Sequence, residues 1–384
     1  MADVENCFKY LGPLDPDRDK EVIICRTEDS EEILAGIKNS NYHAVIAPRQ
    51  TGKTTIFLHL INEIRKSLLL YKPLYISFEN MQNLDQAGFY RALVKKILVQ
   101  LENSFVFDSK LIKEKGGNLN NNLDFVEYLF LLADTKFTLK TRKVEKVEAS
   151  HIDFGRNDYN QKGHNFKFVI FFDEIDAIET NLIKDFILTI RSIFIERNIQ
   201  PQFNSYIILM AGVADLADLT LGKNSPFNIA RIIHLRDFFE EEVIKMVNEA
   251  FHYLGINYES SLPKLLFDNT KGHPYMTQVL CGRMVDDLIK FQKERLNKDD
   301  LYNKIDDLVI NGDINLRSTL EKLNKDEDLK EVVVSIIQGE KISFNRSLQI
   351  VYQLELAGAI RNENGLCRIR NPICERFLSS VFNL

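Results

Sequence analysis

The chain has 384 residues, 45% of them hydrophobic and 27% charged, an ordinary soluble composition long enough for two or three domains with a sizeable core. No apolar run reaches the length of a membrane span and the acidic N-terminus is unlike a secretory leader, so a cytoplasmic location with no membrane partner is expected. A net charge of −6 gives no bulk electrostatic footprint for nucleic acid, and five scattered cysteines without Cys-x-x-Cys spacing predict reduced thiols.

In chain order, residues 1–40 read as an entry segment. Tyr10–Leu14 is turn-rich, Val22–Arg26 is a short strand-like run, and Asp29-Ser30-Glu31-Glu32 reads as a capped helix start. A P-loop α/β unit is expected over 41–235. His43–Ile46 reads as its first buried strand, and Thr55–Ile61 has helical periodicity. Between them lies Ala47-Pro48-Arg49-Gln50-Thr51-Gly52-Lys53-Thr54, a phosphate-binding loop with alanine in place of its first glycine. Pro48 restricts Ala47 to extended geometry, which makes that alanine acceptable. Such a loop, with Thr55 opening the helix, points backbone N–H groups and a positive helix end at phosphates. Lys53 is expected at the β- and γ-phosphates and the Thr54 hydroxyl on Mg²⁺.

Leu74–Phe78 reads as the next strand and Lys115–Asn122 as a loop. Lys140–Lys167 is polar and mixed in charge, a solvated insertion by composition, with a partner-binding loop the sharper reading. Phe168–Phe172 is apolar throughout, as a central parallel strand would be, and ends in Asp173-Glu174. Acids at a helix start are common, but a pair directly after such a strand lies where parallel sheets bind ligands. Asp173 is then expected to hold Mg²⁺ through water and Glu174 to polarise the attacking water. Tyr206–Ala211 and Ile232–Leu235 complete the strands, alternating with helices as in a doubly wound sheet.

From 236 to 298 the chain reads as a helical lid. Asp237 is placed to cap a helix whose face is Val243, Val247, Ala250, Phe251 and Leu254, with Gly255 ending it and Gly272–Gln278 starting another. Over 299–384, Leu329–Ile337, Ser347–Ala357 and Pro372–Val381 read as helices, and 359–370 as a hairpin turning at Asn364-Gly365. That pattern suggests a winged-helix-like domain. From Lys325 onward eight basic residues balance eight acidic ones, which argues against strong phosphate binding, although Arg361, Arg368 and Arg370 cluster on the hairpin.

The chain resembles the prokaryotic AAA-like ATPases of the STAND class, near the origin-recognition and archaeal ATPase branch. Ala47–Thr54 and Phe171–Asp176 carry the resemblance, supported by Ser225–Ala230, Gly272–Tyr275 and the tail. It implies an AAA-like P-loop NTPase, a parallel sheet flanked by helices and followed by a lid and a winged-helix-like domain. It implies that ATP and Mg²⁺ bind, that Pro274 presses on the adenine or ribose, and that Arg26 lies near the base. A protein partner or self-association is expected. The strand ending at Ala211 is followed by Gly212-Val213-Ala214, with no Asn, Thr or Arg to sense a γ-phosphate, and Asp215 has the wrong sign. Arg191, Arg197 and Arg231 are candidate arginine fingers, although exposed charge alone explains such residues. Three functions follow: a nucleotide-operated switch that hydrolyses ATP, an ATPase whose winged helix holds duplex DNA, and a scaffold that binds nucleotide without turnover.

Overall fold

The computed structural model describes residues 5–140, 166–212 and 229–384. The Lys140–Lys167 insertion (all but its two ends), Asp215 and Ser225–Asn228 lie outside the described residues. Helix α1 (Thr27–Lys38) leads to strand β1 (Tyr42–Ile46), and α2 (Lys53–Ser67) to β2 (Tyr71–Ser77). Then come α3 (Gln86–Ser104), the short β3 (Phe105–Val106), α4 (Lys110–Gly117), α5 (Asn122–Asp134) and β4 (Thr138–Leu139). Strand β5 (Lys167–Asp173), α6 (Thr180–Glu196), β6 (Tyr206–Gly212) and β7 (Ala230–His234) finish the α/β part.

The main sheet is parallel, in the order β2-β5-β6-β1-β7. Its central strands β5 and β6 are apolar on both faces because both faces are covered, whereas the edge strands β2 and β7 are partly exposed. Along β5, Phe168, Ile170 and Phe172 enter the core under α3, α5 and α6, while Val169 and Phe171 face α1 and α2. This period-two division fixes the register, since a one-residue slip would exchange the two cores. It also fixes which end of β5 carries Asp173.

The second half is helical: α7 (Glu240–Tyr253), α8 (Leu262–Thr270), α9 (Pro274–Lys290), α10 (Lys298–Asn311), α11 (Ile314–Leu323), α12 (Glu327–Ile337) and α13 (Gln349–Ala357). The hairpin β8 (Ile360–Glu363) and β9 (Leu366–Ile369) follows, then α14 (Pro372–Phe382). Its turn places Asn364 at φ 53° and Gly365 at φ 81°, the left-handed pair that a tight hairpin needs. One apolar cluster runs through this half, joining Val285 of α9, Leu301 of α10 and Phe377 of α14.

The five strands expected from sequence occur within a few residues of their expected bounds. Other details differ. Val22–Arg26 forms no strand: Val22 O accepts from the Gln278 side chain, Cys25 O accepts from Ser30 Oγ, and Arg26 is left-handed at φ 45°. Helix α1 consequently starts at Thr27, ahead of the expected cap. Lys115–Gly117 belong to α4, not to a loop, because a Cβ at Gly116 would come 2.7 Å from Val94 Cγ1 and glycine lets α4 approach α3. Helix α7 starts at Glu240, with Glu242 accepting the Phe239 N–H at 2.8 Å. Asp237 is not its cap, because that carboxylate is taken by Arg370.

Candidate functional site

The loop between β1 and α2 is shaped by its own polar atoms. Thr51 Oγ1 donates to Pro48 O at 2.7 Å, and Gln50 and Gly52 adopt positive φ. Lys53 Nζ donates to Ala47 O at 2.9 Å and to Pro48 O at 2.6 Å, so the ammonium is folded back onto the loop. Burial pushes its pKa down to about 8, with Asp176 and Asp173 opposing that shift and Lys322 and Arg370 adding to it. Such a lysine gains from an anion that restores a counter-charge.

Asp173 ends β5 opposite Ser77 of β2. Its Oδ2 accepts from Thr54 Oγ1 at 2.7 Å and from Tyr75 OH at 2.9 Å, and its Oδ1 accepts the Glu174 N–H at 2.9 Å. A carboxylate has about four acceptor positions, so one remains for a metal-bound water. In this bond the Thr54 hydroxyl donates, so its oxygen lone pairs are not spent on Asp173. Among the described residues no group of three His, Cys, Asp or Glu could hold a metal. Mg²⁺ needs none, since it commonly binds through one or two protein oxygens, waters and phosphates. The donor set fits that ion.

Glu174 is left-handed at φ 56°, an uncommon state for a residue other than glycine. Its Oε2 accepts from Ser77 Oγ at 2.8 Å. Burial raises its pKa above the usual carboxylate value, against the Ser77 hydrogen bond, with Asp173, Glu79 and Asp176 adding to the rise. A carboxylate made more basic in this way suits polarising a water.

These groups open onto a cavity of about 790 Å³. Arg49, Gln50, Gly52, Lys53, Thr54 and Thr55 line one end together with Asp173 and Glu174, so the sequence-expected loop and acid pair are brought together. Ala47 and Pro48 are buried behind them. Thr55 Oγ1 also accepts the Leu14 N–H at 3.3 Å, which ties the entry segment to α2. Pro274 also lines the cavity, as the first residue of α9. Gly272, just before it, has φ 75°, and a Cβ there would lie 2.0 Å from Phe238 O, so only glycine fits this crossing.

Arg26 lines the cavity. Its Nη2 donates to Thr51 O at 2.6 Å and its guanidinium lies 4.5 Å from the Phe238 ring centroid, so it braces the phosphate loop. Burial pushes its pKa down to about 10. Arg197 is not a solvated residue: it is buried, donates to Ser40 O at 2.9 Å and to Tyr206 O, and lies over the Tyr42 ring. Arg231 is exposed on β7.

Sequence reading missed Tyr75 and Ser77, which reach the acid pair from β2. The signal was present, since both are polar, share one face by period two, and end a parallel strand. It also missed Phe238, Gln278, Ile314 and Ser318 on the cavity wall, which separate elements supply.

A parallel sheet in this order, with a lysine-bearing loop after β1 and an acid pair after β5, defines a P-loop ATPase fold. The sequence matches the AAA-like domain family over residues 157–380, more than half of the chain, and the protein belongs to that family. The match takes in the acid pair and begins beyond the phosphate loop. Among solved structures, the Walker-type ATPase of Pyrococcus abyssi is 13% identical with a TM-score of 0.62, covering 96% of this chain and 98% of that one. The Thermotoga maritima RuvB Holliday junction branch migration motor is 14% identical (TM-score 0.46, 94% and 96% covered). The Aeropyrum pernix ORC1 protein in complex with DNA is 11% identical (TM-score 0.46, 94% and 93% covered). No curated protein matches the sequence. Among the described residues no helix is long and apolar enough to cross a membrane.

Proposed function

We propose that this protein is an ATP-operated switch of the STAND type, acting in the cytoplasm, in which Mg²⁺-dependent hydrolysis changes how its C-terminal part is seated. One observation carries the reading: residues beyond the lid rest on the phosphate loop itself. Asn315 Nδ2 donates to Gln50 Oε1 at 2.8 Å, Ile46 packs with Tyr352 and Leu356, and α11 contributes Ile314 and Ser318 to the cavity wall. Arg370, just after β9, donates to Asp237 Oδ1 at 2.7 Å at the start of the lid. Nucleotide entering here must be felt by α11, α13 and Arg370 together, as two-state switches require.

In this reading the loop N–H groups and Lys53 hold the phosphates, with the lysine leaving Ala47 O and Pro48 O to do so. Thr54 and Asp173 would hold Mg²⁺, which would supply positive charge to offset that of the phosphates. Glu174 turns from Ser77 to accept a proton from the attacking water. Phosphoryl transfer needs mainly such positioning and charge stabilisation. Tyr75 keeps Asp173 fixed while Glu174 moves. We read 41–235 as the nucleotide-binding domain, 236–298 as the lid and 299–384 as a winged-helix-like unit.

The duplex-DNA reading has less support. Arg361 pairs with Glu363 at 2.7 Å, Arg368 approaches the same carboxylate at 3.7 Å, and Arg370 is buried against Asp237. The scaffold reading draws on the Ser77–Glu174 hydrogen bond, which holds the carboxylate on β2, and a cation from a second copy or a protein partner would then complete the site. Purified wild type, Lys53→Ala and Glu174→Gln should be compared for ATP binding, steady-state hydrolysis and hydrogen exchange in α11 and α13. Nucleotide-dependent exchange that Lys53→Ala abolishes is expected. Identical exchange with ATP, ADP and no nucleotide would sink the switch.

A further inference from the structure

The cavity lining is chemically mixed. The phosphate loop and the acid pair supply its charged groups. Pro13, Leu14, Ile24, Phe238 and Pro274 supply an apolar slot suited to a flat heterocycle. Most polar side chains around that slot are already engaged within the protein. Tyr10 OH donates to Asp286 Oδ2 at 3.3 Å, Tyr275 OH to Asp313 Oδ2 at 3.1 Å, and Arg26 Nη2 to Thr51 O at 2.6 Å. Lys9 pairs with Asp19.

Arg26 keeps a buried donor, Nε, without a partner among the described residues, and Gln278 supplies the buried acceptor. Gln278 lies one turn beyond Pro274 on α9, lines the cavity, and is only 6% exposed. Its Nε2 donates to Val22 O at 2.8 Å, which orients the amide and makes its oxygen the remaining end. That Oε1 is buried without a hydrogen-bond partner among the described residues. A buried acceptor left without a donor is unfavourable and uncommon, and a ligand that brings a donor relieves it.

We propose that Gln278 Oε1 selects the base, accepting a hydrogen bond from the exocyclic 6-amino group of adenine. A 6-oxo purine presents an acceptor at the same place and is disfavoured, because two acceptors would then face each other in a buried slot. The orientation imposed by Val22 O matters, since a freely rotating amide could offer either end and would discriminate nothing. This proposal rests on the nucleotide-binding reading and adds to it the group that tells one purine from another.

The test is competition by ATP, inosine triphosphate and purine riboside triphosphate against ribose-labelled fluorescent ATP on the full chain. The three share sugar and phosphates and differ at purine position 6, which carries an amino group, an oxygen or a hydrogen; inosine triphosphate also carries a proton on N1, which purine riboside triphosphate lacks, so the latter isolates the loss of the amino group. Wild type is expected to favour ATP over both others by roughly tenfold or more, the scale of one lost buried hydrogen bond. Gln278→Leu should bind all three alike. Equal binding of the three by wild type, or a full adenine preference kept in Gln278→Leu, overturns the proposal and leaves nucleotide binding intact. Failure of wild type to bind any of them overturns the nucleotide reading itself. The wild-type comparison needs no substitution, so equal binding there overturns the proposal even if Gln278→Leu folds poorly after losing its bond to Val22.

Discussion

Raising the pH should loosen nucleotide long before it harms the fold. Lys53 has its ammonium turned onto two loop carbonyls, and burial brings its pKa to about 8. A bound triphosphate favours the charged form, so above that pH the protein must take up a proton in order to bind. Each further pH unit then weakens binding about tenfold, equivalent to about 1.4 kcal/mol. From pH 7 to pH 9 the dissociation constant should therefore rise about tenfold. The assay is titration with ribose-labelled ATP at fixed ionic strength between pH 7 and 9.5. Lys53→Ala should bind weakly at every pH and without the slope. The empty protein should show the opposite trend. A folded pKa below the unfolded value means that the unfolded chain holds the extra proton, so Lys53's contribution to stability rises from about pH 8 towards the ordinary lysine range. A flat wild-type binding profile to pH 9.5 would refute the reasoning, because the lysine would then either stay charged throughout or never meet the phosphates.

Three further outcomes are expected. Ser77→Ala releases Glu174 from its 2.8 Å hydrogen bond and should raise steady-state ATP turnover several-fold, whereas Glu174→Gln should abolish turnover and keep binding; unchanged turnover in Ser77→Ala would show that the hydrogen bond restrains nothing. Tyr75→Phe removes one of three donors on Asp173 and should shift the Mg²⁺ concentration for half-maximal binding of the metal–nucleotide complex while leaving metal-free nucleotide affinity alone; a titration showing no shift counts against that positioning role. Arg370→Ala leaves the partly buried Asp237 carboxylate without its main partner, a loss of about 1–3 kcal/mol that thermal unfolding should register. Burial would raise the Asp237 pKa, but Arg370, His273 and Arg26 hold it below the usual range, so its contribution is present above the ordinary carboxylate pKa and fades as pH falls through the lowered one. Equal melting temperatures for wild type and Arg370→Ala near neutral pH would contradict this account.

The strands were legible because apolar runs bounded by turn residues carry their own signal, and the phosphate loop and Asp173-Glu174 because chemistry and spacing coincide. Val22–Arg26 misled because its hydrophobic pattern suits a strand, whereas its carbonyls are claimed by the Gln278 and Ser30 side chains, the first of them 256 residues away in sequence. Asp237 misled in the same manner. A local cap was plausible, and the partner that won, Arg370, lies 133 residues away. The contact between Asn315 and Gln50 spans 265 residues and has no local signature at all. What the sequence hid was tertiary pairing between polar groups, for which no periodicity exists.

The segment that forms one side of the cavity, Lys9 to Leu14, has no regular structure. It is fastened at intervals, by Asn6 Nδ2 to Gly282 O at 2.9 Å on α9 and by Leu14 N to Thr55 Oγ1 at 3.3 Å on α2. A strap of this kind can peel away without unfolding a helix or breaking a sheet. Departure of a bound molecule would then be timed by a few fastenings, one of them beside the phosphate loop, and the lifetime of the bound state becomes adjustable through the strap.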